Sequence, residues 1–153
     1  MGDRANVRVV QEADGRSVFL YTHWGGTELA AIVQTALKRR QRWDDCAYLT
    51  RIIFSEMLID AAGDAAKTHA TLKDETGFGI TVYPIDERIV TVDVPAQRIT
   101  FDDGVPQTDV VHETAAREVA AEKRKGKKLP GWSFDEFIAL TDKQLDAKWS
   151  PEG

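Results

Sequence analysis

The sequence predicts an α+β domain with a mostly antiparallel five-stranded sheet, a hairpin plus a three-stranded meander. Two helices cover one face, and further helices follow at the C-terminal end. Three observations lead there. Two runs rich in Val, Phe, Leu and Tyr near the start flank an Asp-Gly turn signal. A period near 3.6 then takes over for two segments. After those come three short β-rich runs with brief links between them. The order β-β-α-α-β-β-β suits helices packed on one side of a mainly antiparallel sheet.

The hairpin joins Val7–Val10 to Ser17–Thr22 through Glu12-Ala13-Asp14-Gly15-Arg16. Beyond Gly26, residues Leu29, Ile32, Val33, Ala36 and Leu37 fall at i, i+3, i+4, i+7 and i+8. That spacing makes one apolar helical face, running to about Arg42. Lys38, Arg39, Arg40 and Arg42 crowd its last turn, where cations offset the negative end of the helix dipole. Asp44 or Asp45 caps a second helix that stops at Gly63. This helix is apolar around most of its circumference, the pattern of a buried helix, with Arg51 as a charge in its middle. Residues 64–76 are polar and read as a loop. Gly79–Tyr83, Ile89–Val94 and Arg98–Phe101 then read as strands, and the short links PIDER and PAQ make a meander the economical arrangement.

The C-terminal third is less core-like. Residues 108–125 have helix propensity but only Val111, Ala115 and Val119 as an apolar stripe. The stretch EKRKGKKLPG ends that helix. Ser133 with Glu136 forms a capping-box pattern, and Trp132 with Phe137 flanks it as a hydrophobic staple. The helix beyond carries Phe134, Phe137, Ile138, Leu145 and Trp149, and Thr141 with Gln144 repeats the box, so a break and restart is expected there. The chain thus divides into a core over 1–104 and a helical extension over 105–153 that contains a Lys-rich linker, with its helices expected to pack either on the core or on a partner chain.

Composition bounds the function. The 153 residues are 42% hydrophobic and 29% charged, ordinary for a globular domain. No apolar run is long enough for a membrane span, and the first residues match neither a secretory signal nor a myristoylation site. The single cysteine, Cys46, fits a reducing cytoplasm and reads as a small core residue. A net charge of −5 argues against a dedicated nucleic-acid binder. The basic clusters Lys38–Arg42 and Lys123–Lys128 read as a helix end and a solvated linker, and no aromatic residue interrupts KRKGKK.

The stretch FLYTHWGGTEL, residues 19–29, is the candidate site. A strand meets a His-Trp pair, two glycines and then a helix. Helix N-termini expose unpaired N–H groups, and glycines let an anionic group come close to them. Trp24 offers a stacking face, His23 a hydrogen bond or a charge near neutral pH, and Thr27 a cap or donor. Gly25 and Gly26 supply the close approach, and Arg51, if it points back, pairs a phosphate. The plain alternative is a tight Gly-Gly turn, with Trp24 sealing the core edge and His23 hydrogen-bonded for structure. Neither GxGxxG nor a Walker loop is present. His23, His69 and His112 have no zinc-ligand spacing, no Gly-x-Ser-x-Gly elbow occurs, and FDDG reads as a turn. No catalytic residue, metal or cofactor is assigned.

A strand ending in YTHWGG after an Asp-Gly hairpin resembles a family of small uncharacterised phage and bacterial proteins. Those carry a His-Trp-Asp-Gly-Tyr-Pro segment after their hairpin. His23, Trp24 and Gly26 carry the likeness, which extends more loosely through DDCAYLTRIIF and GFGITVY, over about residues 7–94. Gly25 stands where the family has Asp, and Thr27-Glu28 where it has Tyr-Pro. The resemblance implies a phage or prophage origin and an intracellular setting. Three functions follow as expectations. The first is a non-enzymatic protein binding a small anionic molecule at His23–Thr27 with Arg51, such as a nucleotide of host immune signalling that it sequesters. The second is an interaction or homo-oligomerisation module acting through Trp132, Phe134, Phe137 and Trp149. The third is a hydrolase with His23 as general base.

Overall fold

The computed structural model describes residues 2–61, 77–103 and 131–149. The expected loop over 64–76, the helix over 108–125, the Lys-rich linker, His69 and His112 lie outside those residues. Strands β1 (Ala5–Val10) and β2 (Ser17–Thr22) form the expected antiparallel hairpin. Alternation splits β1 between the two faces. Ala5, Val7 and Val9 join the helix-side core, while Asn6, Arg8 and Val10 are buried on the other face. A strand buried on both faces belongs in the middle of a sheet, and β1 is there.

Helix α1 (Leu29–Lys38) buries Leu29, Ile32, Val33, Ala36 and Leu37, the face its period requires. It stops short of Arg42 because Arg40 and Arg42 take left-handed backbone, φ 54° and 59°. The cations beyond it face neighbouring side chains. Arg39 pairs with Glu56, Arg40 lies 3.0 Å from Asp135, and the Arg42 guanidinium sits 4.3 Å from the centre of the Tyr48 ring. Helix α2 (Cys46–Ala61) starts where Asp45 Oδ1 accepts from Tyr48 N–H. Leu49, Ile52, Ile53 and Met57 are buried, but Tyr48, Arg51 and Ile59 are exposed. The expectation of all-round burial is thus corrected, since α2 packs on α1 and β1 along one side only.

The sheet is six-stranded and mixed, in the order β3-β2-β1-β4-β5-β6. Strand β3 (Phe78–Thr81) pairs antiparallel with β2 at one edge, and β4 (Arg88–Asp93) pairs parallel with β1 on its far side. Only β4 and β5 (Arg98–Asp103) form the expected hairpin, so the three-stranded meander is corrected. The link over residues 82–87 crosses from β3 to β4. Its six residues reach about 20 Å, against about 14 Å for three strand spacings. Asn6, wholly buried, clamps the crossing. Its Nδ2 donates to Asp86 O at 2.7 Å, and its Oδ1 accepts from Ile85 N at 3.1 Å.

Of the two placements open to the C-terminal helices, the described residues 131–149 take the one on the core. Strand β6 (Trp132–Ser133) adds to β5, and α3 (Phe134–Ile138) follows at once. Ser133 and Glu136 make the reciprocal capping box, and the Trp132 and Phe137 rings sit 5.7 Å apart as the staple. Thr141 and Gln144 make a second reciprocal box, which starts α4 (Asp142–Trp149) as the sequence predicts. Phe134, Phe137, Leu145 and Trp149 are buried in the helix-side cluster. The buried Gln34 of α1 donates to Phe137 O and Leu140 O, tying the segment down. We expect Phe137→Ala to cost about 3–5 kcal/mol in urea unfolding. Deleting residues 129–153 should abolish the cooperative transition, whereas an independent extension would leave it intact.

Candidate functional site

Strand β2 ends at Thr22, and the chain turns through residues 23–28 into α1. Trp24 stands out from this turn at 61% exposure. Its ring meets that of His23 edge-on, with centroids 4.3 Å apart. The His23 ring is fixed in turn: Nδ1 shares a 2.9 Å hydrogen bond with Tyr21 Oη, and Gly2 packs so closely that an added Cβ would lie 2.6 Å from Nε2. Trp24 therefore projects from a braced aromatic pair and does not seal the core.

The backbone donors of the turn have partners inside the chain. Gly25 N–H donates to Thr22 Oγ1 at 3.0 Å. Gly26 N–H donates to Asp3 O at 2.8 Å, and Thr27 N–H to Asp3 Oδ2 at 2.7 Å. The anion at this helix start is the protein's own carboxylate. An open amide cradle at residues 25–27, as the sequence reading had it, is corrected on that ground. Gly26 is required here, because a Cβ would stand 2.6 Å from Asp3 O and 2.9 Å from Asp3 Oδ1.

Asp3 also joins distant parts of the fold. Its Oδ1 accepts from Arg88 Nη1 at 2.9 Å, at the start of β4. The Arg88 guanidinium lies 5.0 Å from the centre of the Trp149 ring, a cation–π distance. Trp149 Nε1–H then donates to Gly26 O at 2.7 Å. Burial pushes the Asp3 carboxyl up, but hydrogen bonds from Thr27 and Arg88 and the charge of Arg88 outweigh it and hold the group below its ordinary range.

His23, Trp24, Gly25, Gly26 and Thr27 are thus together, as the sequence places them. Arg51 is not brought to them by any hydrogen bond or ion pair among the described residues. It is exposed on α2, and its Nη1 donates to Ser55 Oγ one turn on. A different cation lies on the segment beside the turn. Arg4 is exposed, and its carbonyl carbon is 3.1 Å from where a Gly26 Cβ would stand. Asp3, Arg4, Arg88 and Trp149 escape a sequence reading, since only the sheet topology brings positions 3, 26, 88 and 149 to one place.

No family model, curated protein or solved structure matches the chain. Among the described residues no group of His, Cys, Asp and Glu is arranged to hold a metal ion. No helix among them is long and apolar enough to cross a membrane.

The site's electrostatics have a signed consequence. The folded pKa of Asp3 lies below its unfolded value of about 3.9, so the unfolded chain takes up the proton first as pH falls. Its stabilisation is complete above about pH 4 and is lost as pH drops through the folded pKa. We expect Asp3→Asn to be less stable than the parent by about 1–2 kcal/mol at pH 7. That gap should close on acidification, as read by denaturant unfolding at a series of pH values.

Proposed function

We propose that the protein acts by binding rather than by catalysis, and that Trp24 is its principal contact. The observation that carries this reading is an indole 61% exposed, braced edge-on by a histidine that is itself held by Tyr21. A rigid, exposed aromatic face suits a flat ring, and base–aromatic stacking is sequence-tolerant because every base has a π face. The ligand class is a small anionic molecule with such a ring, of which a nucleotide is the plainest case. Its negative charge is met by the exposed Arg4 and not by the turn amides, which Asp3 and Thr22 occupy. The likeness of the HWGG segment to phage proteins is the ground for placing this binding in a cell's cytoplasm and for naming a host signalling nucleotide. In this reading His23 works as a brace, held at Nδ1 by Tyr21.

The test is calorimetric titration with a panel of mono-, di- and cyclic nucleotides. One or more should bind, and Trp24→Ala should weaken that binding by about 5- to 150-fold, the equivalent of 1–3 kcal/mol. Heat absent across the panel, or affinity unchanged in the variant, contradicts the proposal.

A second reading, an interaction protein, has its own support. The C-terminal aromatics belong to the core, so the surface moves elsewhere. Ile80, Val82, Tyr83 and Ile85 are all exposed along the edge strand β3 and the link beyond it.

A further inference from the structure

The face of the sheet turned away from α1–α4 is buried as well. Pairing puts Asn6, Arg8 and Val10 of β1 on that side, together with Phe19 of β2 and with Ile89 and Thr91 of β4. Val10, Ile89 and Phe19 are 0%, 1% and 2% exposed, yet none belongs to the apolar cluster that holds the four helices. Arg8 and Thr91 are buried among them. Arg8, Thr91, Asp93, Arg98 and Thr100 lie on this side by register, and none of them is without a partner. A sheet face left to water carries polar side chains outward. This one is built and buried like a second core.

The described residues account for one end of its cover. The link over 82–87 crosses at Asn6, which bonds to Ile85 N and Asp86 O. Val10 lies four residues further along β1, about 13 Å away, at the hairpin end. There the hairpin loop meets Arg8 Nη2 through Gly15 O, and its Ala13 is exposed. Nothing apolar among these residues reaches Val10 and Phe19 from that side.

We propose that residues 105–129 of this same chain dock on this face and give the fold a third layer. The docking is independent of any ligand at Trp24. Three observations choose that segment. The first is where it begins and ends. Strand β5 stops at Asp103, and Gly131 packs on that same strand, where an added Cβ would stand 2.0 Å from Ile99 O. A hairpin loop of about two to five residues closes such a gap, and the chain uses far more. The second is the spacing of Val111, Ala115 and Val119, which predicts a helix with one apolar side in need of cover. The helix-side core is already closed by α1–α4, so the face at Val10, Phe19 and Ile89 is the apolar surface left for it. The third is charge. Glu118 and Glu122 continue the stripe at i+7 and i+11 from Val111, and the face offers Arg8 and Arg98. The stretch over 62–76 is the poorer occupant. Its apolar residues are Leu72 and alanines, and it joins α2, on the opposite side of the sheet, to the edge strand β3.

Nuclear Overhauser contacts of the Phe19 ring in the full chain test this without any substitution. They should reach the methyl groups of Val111 or Val119. Contacts to residues 62–76 in their place, or to neither stretch, overturn the docking. Urea unfolding supplies the second measurement. Val111→Asp and Val119→Asp should each lower the urea midpoint and raise the binding of a hydrophobic dye. Arg117→Asp, on the opposite side of the same spacing, should leave both at the parent's values. Parental midpoints in both valine variants, or an equal loss in Arg117→Asp, also overturn it.

Discussion

The Asp3 carboxylate is the point on which the architecture turns. It accepts from Thr27 N–H in the turn just ahead of α1 and pairs with Arg88 at the start of β4, while the Asp3 backbone carbonyl accepts from Gly26 N–H. Arg88 in turn lies over Trp149, whose indole N–H returns to Gly26 O. Four regions far apart in the chain thereby share one small polar cluster. Its members satisfy one another in the turn that leads into α1, where the Gly26 and Thr27 amides have no strand or helix partner. Glu28, the N-cap residue of α1, makes no side-chain cap, and the carboxylate fixes the turn one residue ahead of it.

This arrangement explains why the turn looks like an anion site in the sequence while its amides serve the protein itself. Glycine, a helix start and a nearby cation are the ingredients of anion binding. Here the first two serve an internal carboxylate, and Arg88 completes it. What is left for solvent is Trp24, pushed out by the same turn and steadied by His23 and Tyr21. In the proposed reading, the chemistry on offer is stacking and apolar contact at Trp24.

Much of the fold was legible because its signals are local. The 3.6 period located the buried side of α1, and the capping boxes at Ser133 and Thr141 located both C-terminal helices. The missed features are those set by long-range geometry. PIDER has the length of a hairpin link, but a single buried side chain, Asn6, holds it as a crossover that sends β4 to the parallel side of β1. The aromatic C-terminal helices look like a docking surface in isolation. They are core because β6 adds to β5 and Gln34 binds their carbonyls. In the candidate site, the residues from His23 to Thr27 were visible as a motif. Asp3 gave no local cue, and Arg51, chosen for being a lone charge in an apolar helix, is simply on its exposed side.

Amide hydrogen exchange at Thr27 tests the central claim most directly. Thr27 lies ahead of the N-cap Glu28, so its amide has no intrahelical acceptor and relies on the Asp3 carboxylate. The account expects the Thr27 amide to be protected in the parent chain and to become fast in Asp3→Ala, while amides in the middle of α1 stay slow. A Thr27 amide that exchanges freely in the parent, or that remains protected without the Asp3 carboxylate, would contradict it.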